Sequence, residues 1–271
     1  MFVDSDDELP ADSVDNLLSA SKNTQYDLVI GGLFVSENGK KRLVSLNQES
    51  YNNFDLANEI VTYSNDGIAA FVMSSSCGKL YKNEIINNNN IIFNENLQAG
   101  EDGIFVAEYL YVSKKVFNVF LPSYIIHRMT PNERISATSS VYSDIFEFRC
   151  MYFQNLWEIL RDNSSDTEQR YFMQMALQKL IGDLVIAGAY NDFYLRGELY
   201  AKMEKFLEIP FIREASLIYR RKRAADSVWI PLFLRYRQPR LLCIAMKIRG
   251  QAYIKARGKS RFVKSIYRIG K

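Results

Sequence analysis

The sequence predicts an α/β fold followed by an all-helical part, and three observations carry that reading. Up to about residue 138, short β-branched apolar runs alternate with stretches of helical period; after Val141 the helical period alone continues; and Asn38-Gly39, set between apolar runs, is the turn pair of a β-hairpin. At 271 residues, 48% of them hydrophobic and 13% aromatic, the chain has the material for one large or two small cores and is not of disordered composition. The expected division is a mixed part over 1–138, a helical region over 139–219 and a basic amphipathic tail over 220–271.

In order along the chain, Met1-Phe2-Val3 reads as the end of a buried strand. Leu9-Pro10 opens a helix near 11–21, with Val14, Leu17 and Leu18 on one face and the proline early in its first turn. Tyr26 to Val35 (YDLVIGGLFV) is β-branched and apolar enough for a central strand, and Lys41 to Ser45 would return from the hairpin turn. Residues 50–64 and 66–74 read as helices, and 77–86 as a short helical stretch ending at an asparagine-rich turn, Asn87 to Asn90. Ile91-Ile92-Phe93 reads as a short strand, and a helix runs from Glu101 to about Ser113 on the stripe Ile104, Phe105, Tyr109 and Leu110. Lys115 to Met129 alternates and reads as two short strands broken at Pro122. Residues 130–140 are polar and turn-rich, as a mobile loop would be, and helices are expected over 141–162, 166–190 and 194–207.

The net charge of +3 conceals an asymmetry. Arg220 to Lys271 holds sixteen Lys or Arg against one acid, Asp226, which leaves 18 basic and 30 acidic residues before it. Cys77, Cys150 and Cys243 are far apart and have no metal-ligand spacing, so the expected setting is the reducing cytoplasm. The acidic N-terminus is unlike a secretory signal, and no apolar run approaches the roughly 20 residues of a membrane span.

Two acidic motifs carry the chemistry. Asp4-Ser5-Asp6-Asp7 follows an apolar strand end, and Glu101-Asp102 follows Gly100 at a helix start. Carboxylates before or in a first helical turn often act as caps. They are also the hard oxygen ligands that Mg²⁺ or Mn²⁺ shares with substrate phosphates. A calcium loop is excluded, because its sixth position needs glycine and is Leu9.

The ordered series MFVDSDD (1–7), CGKLY (77–81), FNENLQAGED (93–102), His127-Arg128 and Arg134-Ile135-Ser136 resembles the family-2 glycosyltransferases of GT-A fold, particularly those that build bacterial capsular and surface polysaccharides. The resemblance spans roughly residues 1–140 and implies the C-terminal part of a Rossmann-like GT-A domain. The family's opening strand and base-holding Asp are absent, so it also implies that the N-terminal nucleotide-binding half is missing. It implies Asp6 and Asp4 as metal and nucleotide ligands, Asp7 as a supporting group, and Asp102, beside Glu101, as the base that takes the acceptor proton in an inverting displacement. His127 is structural, or a third metal ligand, or a group that closes over the diphosphate. Arg128 and Arg134 would contact the diphosphate. Lys79 and Tyr81 match a Lys-Leu-Tyr element in which Gly78 replaces the usual Asn. The implied cofactor is Mn²⁺ or Mg²⁺, the donor a nucleotide-diphosphate sugar of UDP type, and the acceptor a glycan, lipid-linked in that family's manner. Phosphate-ester hydrolysis at the same acids is the enzymatic alternative; an inactive half-domain that binds membrane or a partner chain is the other.

In the tail, Trp229, Leu232, Phe233 and Tyr236, and then Leu241, Ile244, Ala245 and Ile248, recur at helical spacing, flanked by Arg235, Arg237, Arg240, Lys247 and Arg249. Such a basic amphipathic segment suits an anionic membrane surface, which places the protein at the inner face of the cell membrane as a peripheral enzyme. A helix packed on the domain with a solvated basic face is the structural alternative. No nucleic-acid motif is present, and no nucleic-acid partner is expected.

Overall fold

The computed structural model describes residues 1–24, 26–37, 40–52, 57, 68–97, 100–128, 145–189, 199–221 and 227–257. They fall into two compact units, Met1–Ser136 and Ala137–Lys271. The first is built around β1 (Leu28–Glu37), whose Leu28, Val29, Ile30 and Leu33 are almost wholly buried. A strand covered on both faces needs this unbroken apolar run rather than alternation. On one edge β1 pairs antiparallel with β2 (Lys40–Val44), Glu37 opposite Lys40, so the hairpin forms as its turn pair predicts. Farther back on the same edge Leu28–Ile30 pair antiparallel with β4 (Lys79–Tyr81). On the other edge β1 runs parallel to β5 (Val116–Arg128), and β5 in turn takes the two-residue β3 (Ser50–Tyr51) antiparallel. Helix α1 (Ser13–Thr24) lies over β1 and β5 through the fully buried Leu17. The short helices α2 (Ile68–Met73) and α3 (Asn83–Asn88) flank β4, and α4 (Glu101–Val112) supplies the buried Ile104, Phe105, Tyr109 and Leu110.

Several expectations are corrected. Residues 116–128 form one strand, not two: Pro122 pairs with Gly32 at a register shift that leaves Phe120 and Leu121 half exposed. A bulge absorbs the proline that a regular ladder would reject. Residues 79–81 are strand rather than helix, because β1 offers them an edge and their alternation turns Lys79 and Tyr81 inward. Ile91 to Phe93 is not a strand: Ile91 is buried while Ile92 is 74% exposed, and no ladder partner is in reach among the described residues. Ser50 and Tyr51 are strand where a helix is expected; residues 53–56 and 58–67 lie outside the description, as do 129–144 with the expected loop. Met1 to Val3 is not a buried strand either. Phe2 alone makes a parallel bridge, to Cys77, and Val3 is exposed.

The second unit is helical throughout its described residues: α5 (Ile145–Asn163), α6 (Asp166–Ala189), α7 (Leu199–Glu208), α8 (Pro210–Ile218), α9 (Trp229–Arg235) and α10 (Pro239–Arg257). The start of α6 is a capping box, with Ser165 N–H donating to Glu168 Oε2 (2.8 Å) and Glu168 N–H to Ser165 Oγ (3.4 Å). Inside the bundle Arg149 holds Asp183 with two hydrogen bonds of 2.6 and 2.7 Å. The basic tail is not set apart, since α9 and α10 belong to this unit and α10 packs on α6 and α7. No helix among the described residues is long and apolar enough to cross a membrane.

Candidate active site

The acidic sequence 4–7 folds as a turn, with Asp7 N–H donating to Asp4 C=O at 3.2 Å. It hangs between two single-residue bridges, Phe2 to Cys77 and Glu8 to Ile125. The Phe2 ring anchors its near end, meeting Tyr81, Phe93 and Phe105 edge-on at centroid separations of 5.6, 5.1 and 5.2 Å. Asp4 N–H donates to Tyr124 Oη (2.9 Å), which fixes the turn against β5. Asp7 Oδ1 accepts the His127 backbone N–H (2.9 Å), so Asp7 pins the end of β5.

Across from the turn, Gly100 (φ +93°) opens α4, and Glu101 and Asp102 occupy its first turn, where the positive helix end favours carboxylates. The two acidic motifs share one electrostatic field. Partial burial raises the Asp4 carboxyl above its ordinary value, and the charges of Asp102, Asp7 and Asp6 raise it further against a hydrogen bond with Cys77. Glu101 is raised by burial, opposed by its own backbone N–H, and raised again by Asp102 and Asp4. Its Oε2 is buried with no hydrogen-bond partner among the described residues. Glu101 Oε2 is thus an unpaired acceptor beside the charges of Asp4 and Asp102, and hard carboxylate oxygens of this kind are the donors a divalent cation takes.

Beneath this pair the floor is rigid. Lys79 is wholly buried, and its ammonium donates to the carbonyls of Val72 (2.6 Å), Ser75 (2.6 Å) and Cys77 (3.3 Å). Three donors meet three acceptors, which is how a buried charge is tolerated. Burial still pulls Lys79 down to about 8, with Cys77 and Asp102 resisting. Tyr81 Oη donates to Ser76 C=O (2.9 Å), and the Gly31 N–H and Ser123 Oγ reach Gly78 C=O at 2.9 and 3.2 Å. Every carbonyl from 75 to 78 is thereby held. Burial pushes the Cys77 thiol up, partly offset by hydrogen bonding with Tyr124, and Asp4 and Asp102 push it further, so it is no nucleophile.

Asp4 thus feels the charges of Asp6, Asp7 and Asp102, and Glu101 those of Asp4 and Asp102. The contacts of His127 run instead to Asp7 and to Glu8, whose Oε1 lies 3.4 Å from its Nε2. Among the described residues no three His, Cys, Asp or Glu side chains are gathered as a metal-holding group, so Asp6, Asp4 and His127 are not a preassembled trio. Arg128 ends β5 with its side chain outside the description, and Arg134 lies outside it altogether. Tyr124 is a site residue that sequence reasoning missed; its partner is 120 residues away and nothing local marks it.

No protein-family model matches the chain. It is 24% identical over 226 residues to the teichoic acid poly(glycerol phosphate) polymerase of Staphylococcus epidermidis strain RP62A, an alignment that covers 80% of this chain and 29% of that protein. The chain therefore spans less than a third of the length of this relative. Among solved structures it is similar to residues 1–349 of TarS from S. aureus, with a TM-score of 0.57 at 13% identity over 94% of this chain and 66% of that one. The same TarS fragment in complex with UDP-GlcNAc gives a TM-score of 0.52 at 14% identity, over 94% and 67% of the two chains. The likeness is one of fold, and the fold is α/β and GT-A-like.

Proposed function

We propose that this chain is part of a glycosyltransferase of surface-glycopolymer synthesis that moves a sugar from a nucleotide-diphosphate donor to a glycan acceptor. The observation that carries this reading is the meeting of two sequence-distant acidic motifs, 4–7 and 101–102, in one field within a GT-A-like fold. A relative in teichoic acid polymerisation and a structural neighbour crystallised with UDP-GlcNAc support a UDP-sugar as donor and a surface polymer as product.

In this reading Asp4 and Asp6 face the diphosphate. They are the residues that would hold a divalent cation, Mn²⁺ or Mg²⁺, which would supply charge neutralisation to the diphosphate. Asp102 takes the proton of the acceptor hydroxyl as it attacks from the opposite face of the sugar, which inverts the anomeric centre; help of this kind is worth roughly 10²–10⁴-fold in rate. Glu101, whose carboxyl burial raises above its ordinary value, is its neighbour in the first turn of α4. Arg128 and Arg134 belong to the diphosphate side, and His127 orients β5 through its contacts with Asp7 and Glu8. The acceptor is carried on a lipid, and the protein works as a peripheral enzyme on the cytoplasmic face of the membrane.

Calorimetric titration of residues 1–271 with UDP, with and without Mn²⁺, tests the donor side. Binding that requires Mn²⁺ and disappears in Asp6→Asn supports the assignment. A folded protein that binds no UDP in either condition refutes it and favours a half-domain that serves a partner chain.

A further inference from the structure

The tail helices do not use the apolar face that their sequence suggests. On α9 the buried residues are Ile230 and Leu234, while Trp229, Leu232 and Tyr236 are 59%, 41% and 65% exposed. On α10 Leu242, Cys243 and Met246 are buried, while Leu241, Ile244 and Ile248 are 43%, 54% and 65% exposed. Residues one turn or two apart share a helix face, and 241, 244 and 248 project opposite 242 and 246. Each helix is therefore apolar on two sides: one side packs into its unit and the other is left uncovered. A helix whose only duty was to close a bundle would carry polar residues there.

Within these two helices the charge is of one sign. Residues 227–257 contain seven Lys or Arg and no acid. In helical projection Arg240 and Lys247 border the exposed face of α10 on one side and Arg249 on the other, and Lys255 follows at its C-terminal end. Some of these cations have local partners: Arg235 donates to Leu217 C=O (3.0 Å), Arg237 pairs with Glu208, and Arg240 lies over the Tyr200 ring at 5.7 Å. Glu208, paired with Arg237, and Glu204, hydrogen-bonded with the Tyr200 that Arg240 covers, are acids of α7 at this border, where the cations of α9 and α10 outnumber them.

We propose that the outer faces of α9 and α10 form a docking surface for an anionic lipid bilayer, with Trp229, Leu232, Tyr236, Leu241, Ile244 and Ile248 entering the interfacial layer and the bordering cations engaging lipid phosphates. This deepens the peripheral placement proposed above, rests on it only for which membrane is met, and is tested without any sugar donor. Exposed aliphatic and aromatic side chains ringed by cations are complementary to an anionic lipid interface, where apolar burial and charge attraction add. An acidic protein partner would instead leave six apolar side chains to be matched by shape.

The two tryptophans make the test direct. Trp157 is 3% exposed and Trp229 59%, so a change in emission on adding vesicles reports Trp229. The full chain, and a Trp157→Phe variant, are mixed with vesicles of phosphatidylcholine alone or with one quarter phosphatidylglycerol, and binding is also read by co-sedimentation of the wild-type protein. Expected are a blue shift and sedimentation with the anionic vesicles only, on the order of tenfold weaker partitioning for Ile244→Ser/Ile248→Ser, and weakening by salt. The proposal is overturned by no sedimentation with either vesicle, by a blue shift that follows protein concentration without lipid (a second copy covers the face), or by salt-sensitive binding to duplex DNA that leaves vesicles untouched. Should Trp157→Phe fail to fold, sedimentation of the wild type and the double variant decides alone. Vesicle binding without UDP binding would uphold the surface and sink the enzymatic reading; the reverse would do the opposite.

Discussion

Asp4 is a carboxylate held where ionisation is unfavourable, since partial burial and the charges of Asp102, Asp7 and Asp6 all raise it. A group that binds its proton more tightly in the folded state withdraws stability as the pH climbs from its ordinary 3.8 through its folded value. Asp4→Asn should then be more stable than wild type at pH 7, by about 0.5–1 kcal/mol, with the gap closing toward acid. Thermal melts across pH would record this, and equal melting curves at pH 7 would contradict it. Were Asp4 to serve the proposed reaction, activity and stability would pull against each other at this residue, as they do where a site stores like charge. Lys79 is the opposite case. Lys79→Met would leave the carbonyls of Val72, Ser75 and Cys77 without their donor in the interior, at a cost of roughly 1–3 kcal/mol for each acceptor left unpaired. Urea denaturation measures it. The sequence singled out both acidic motifs, because carboxylates at a strand end and a helix start are local patterns. It gave no hint of Tyr124 or of Lys79's three acceptors, which arise only when β4, β5 and the 72–77 segment converge.

At the level of elements, the β1–β5 pairing sets the molecule's tolerances. A Cβ at Gly31 would stand 1.8 Å from Ser123 Oγ and 2.3 Å from Ser123 Cβ, so Gly31→Ala should destabilise by about 1–3 kcal/mol, and adding Ser123→Gly should recover much of the loss. In α6, Gly182 has nothing within 4 Å of such an atom, and Gly182→Ala should stabilise by roughly 0.5–1 kcal/mol. Chemical denaturation of the three variants separates the two environments. Asp27 joins four element ends: Oδ1 takes Lys82 Nζ (2.7 Å), Oδ2 takes the N–H groups of Lys114 (2.8 Å) and Lys115 (3.3 Å), and its carbonyl takes Tyr109 Oη (2.7 Å). Burial opposes its ionisation, but Lys82 and the two amides outweigh that and hold the carboxyl below its ordinary value. Its contribution is present at neutral pH and fades as the pH drops through that lowered value; Asp27→Asn should accordingly flatten the acid side of the stability profile. The hairpin and the long helices were legible because their signals are local. The single β5, the short β3 and the strand at 79–81 were not, since a proline reads as a break and an edge recruits whatever residues reach it.

On the scale of the whole chain, the described residues form a mixed unit and a helical one, Met1–Ser136 and Ala137–Lys271. The direction in which the tail helices face could not be read, because both sides of α10 are apolar and only packing decides between them. Ligand linkage should appear at this scale: UDP with Mn²⁺ at about 100 times the dissociation constant would add ~2.7 kcal/mol to unfolding, and Asp6→Asn should abolish the rise. A further consequence follows from how the acidic turn is attached. Residues 1–8 are held to the sheet by two isolated bridges and by single hydrogen bonds at Asp4 and Asp7, whereas β1 is laddered on both edges. Deuterium should therefore enter the amides of the turn long before those of β1, through openings too small to unfold anything else.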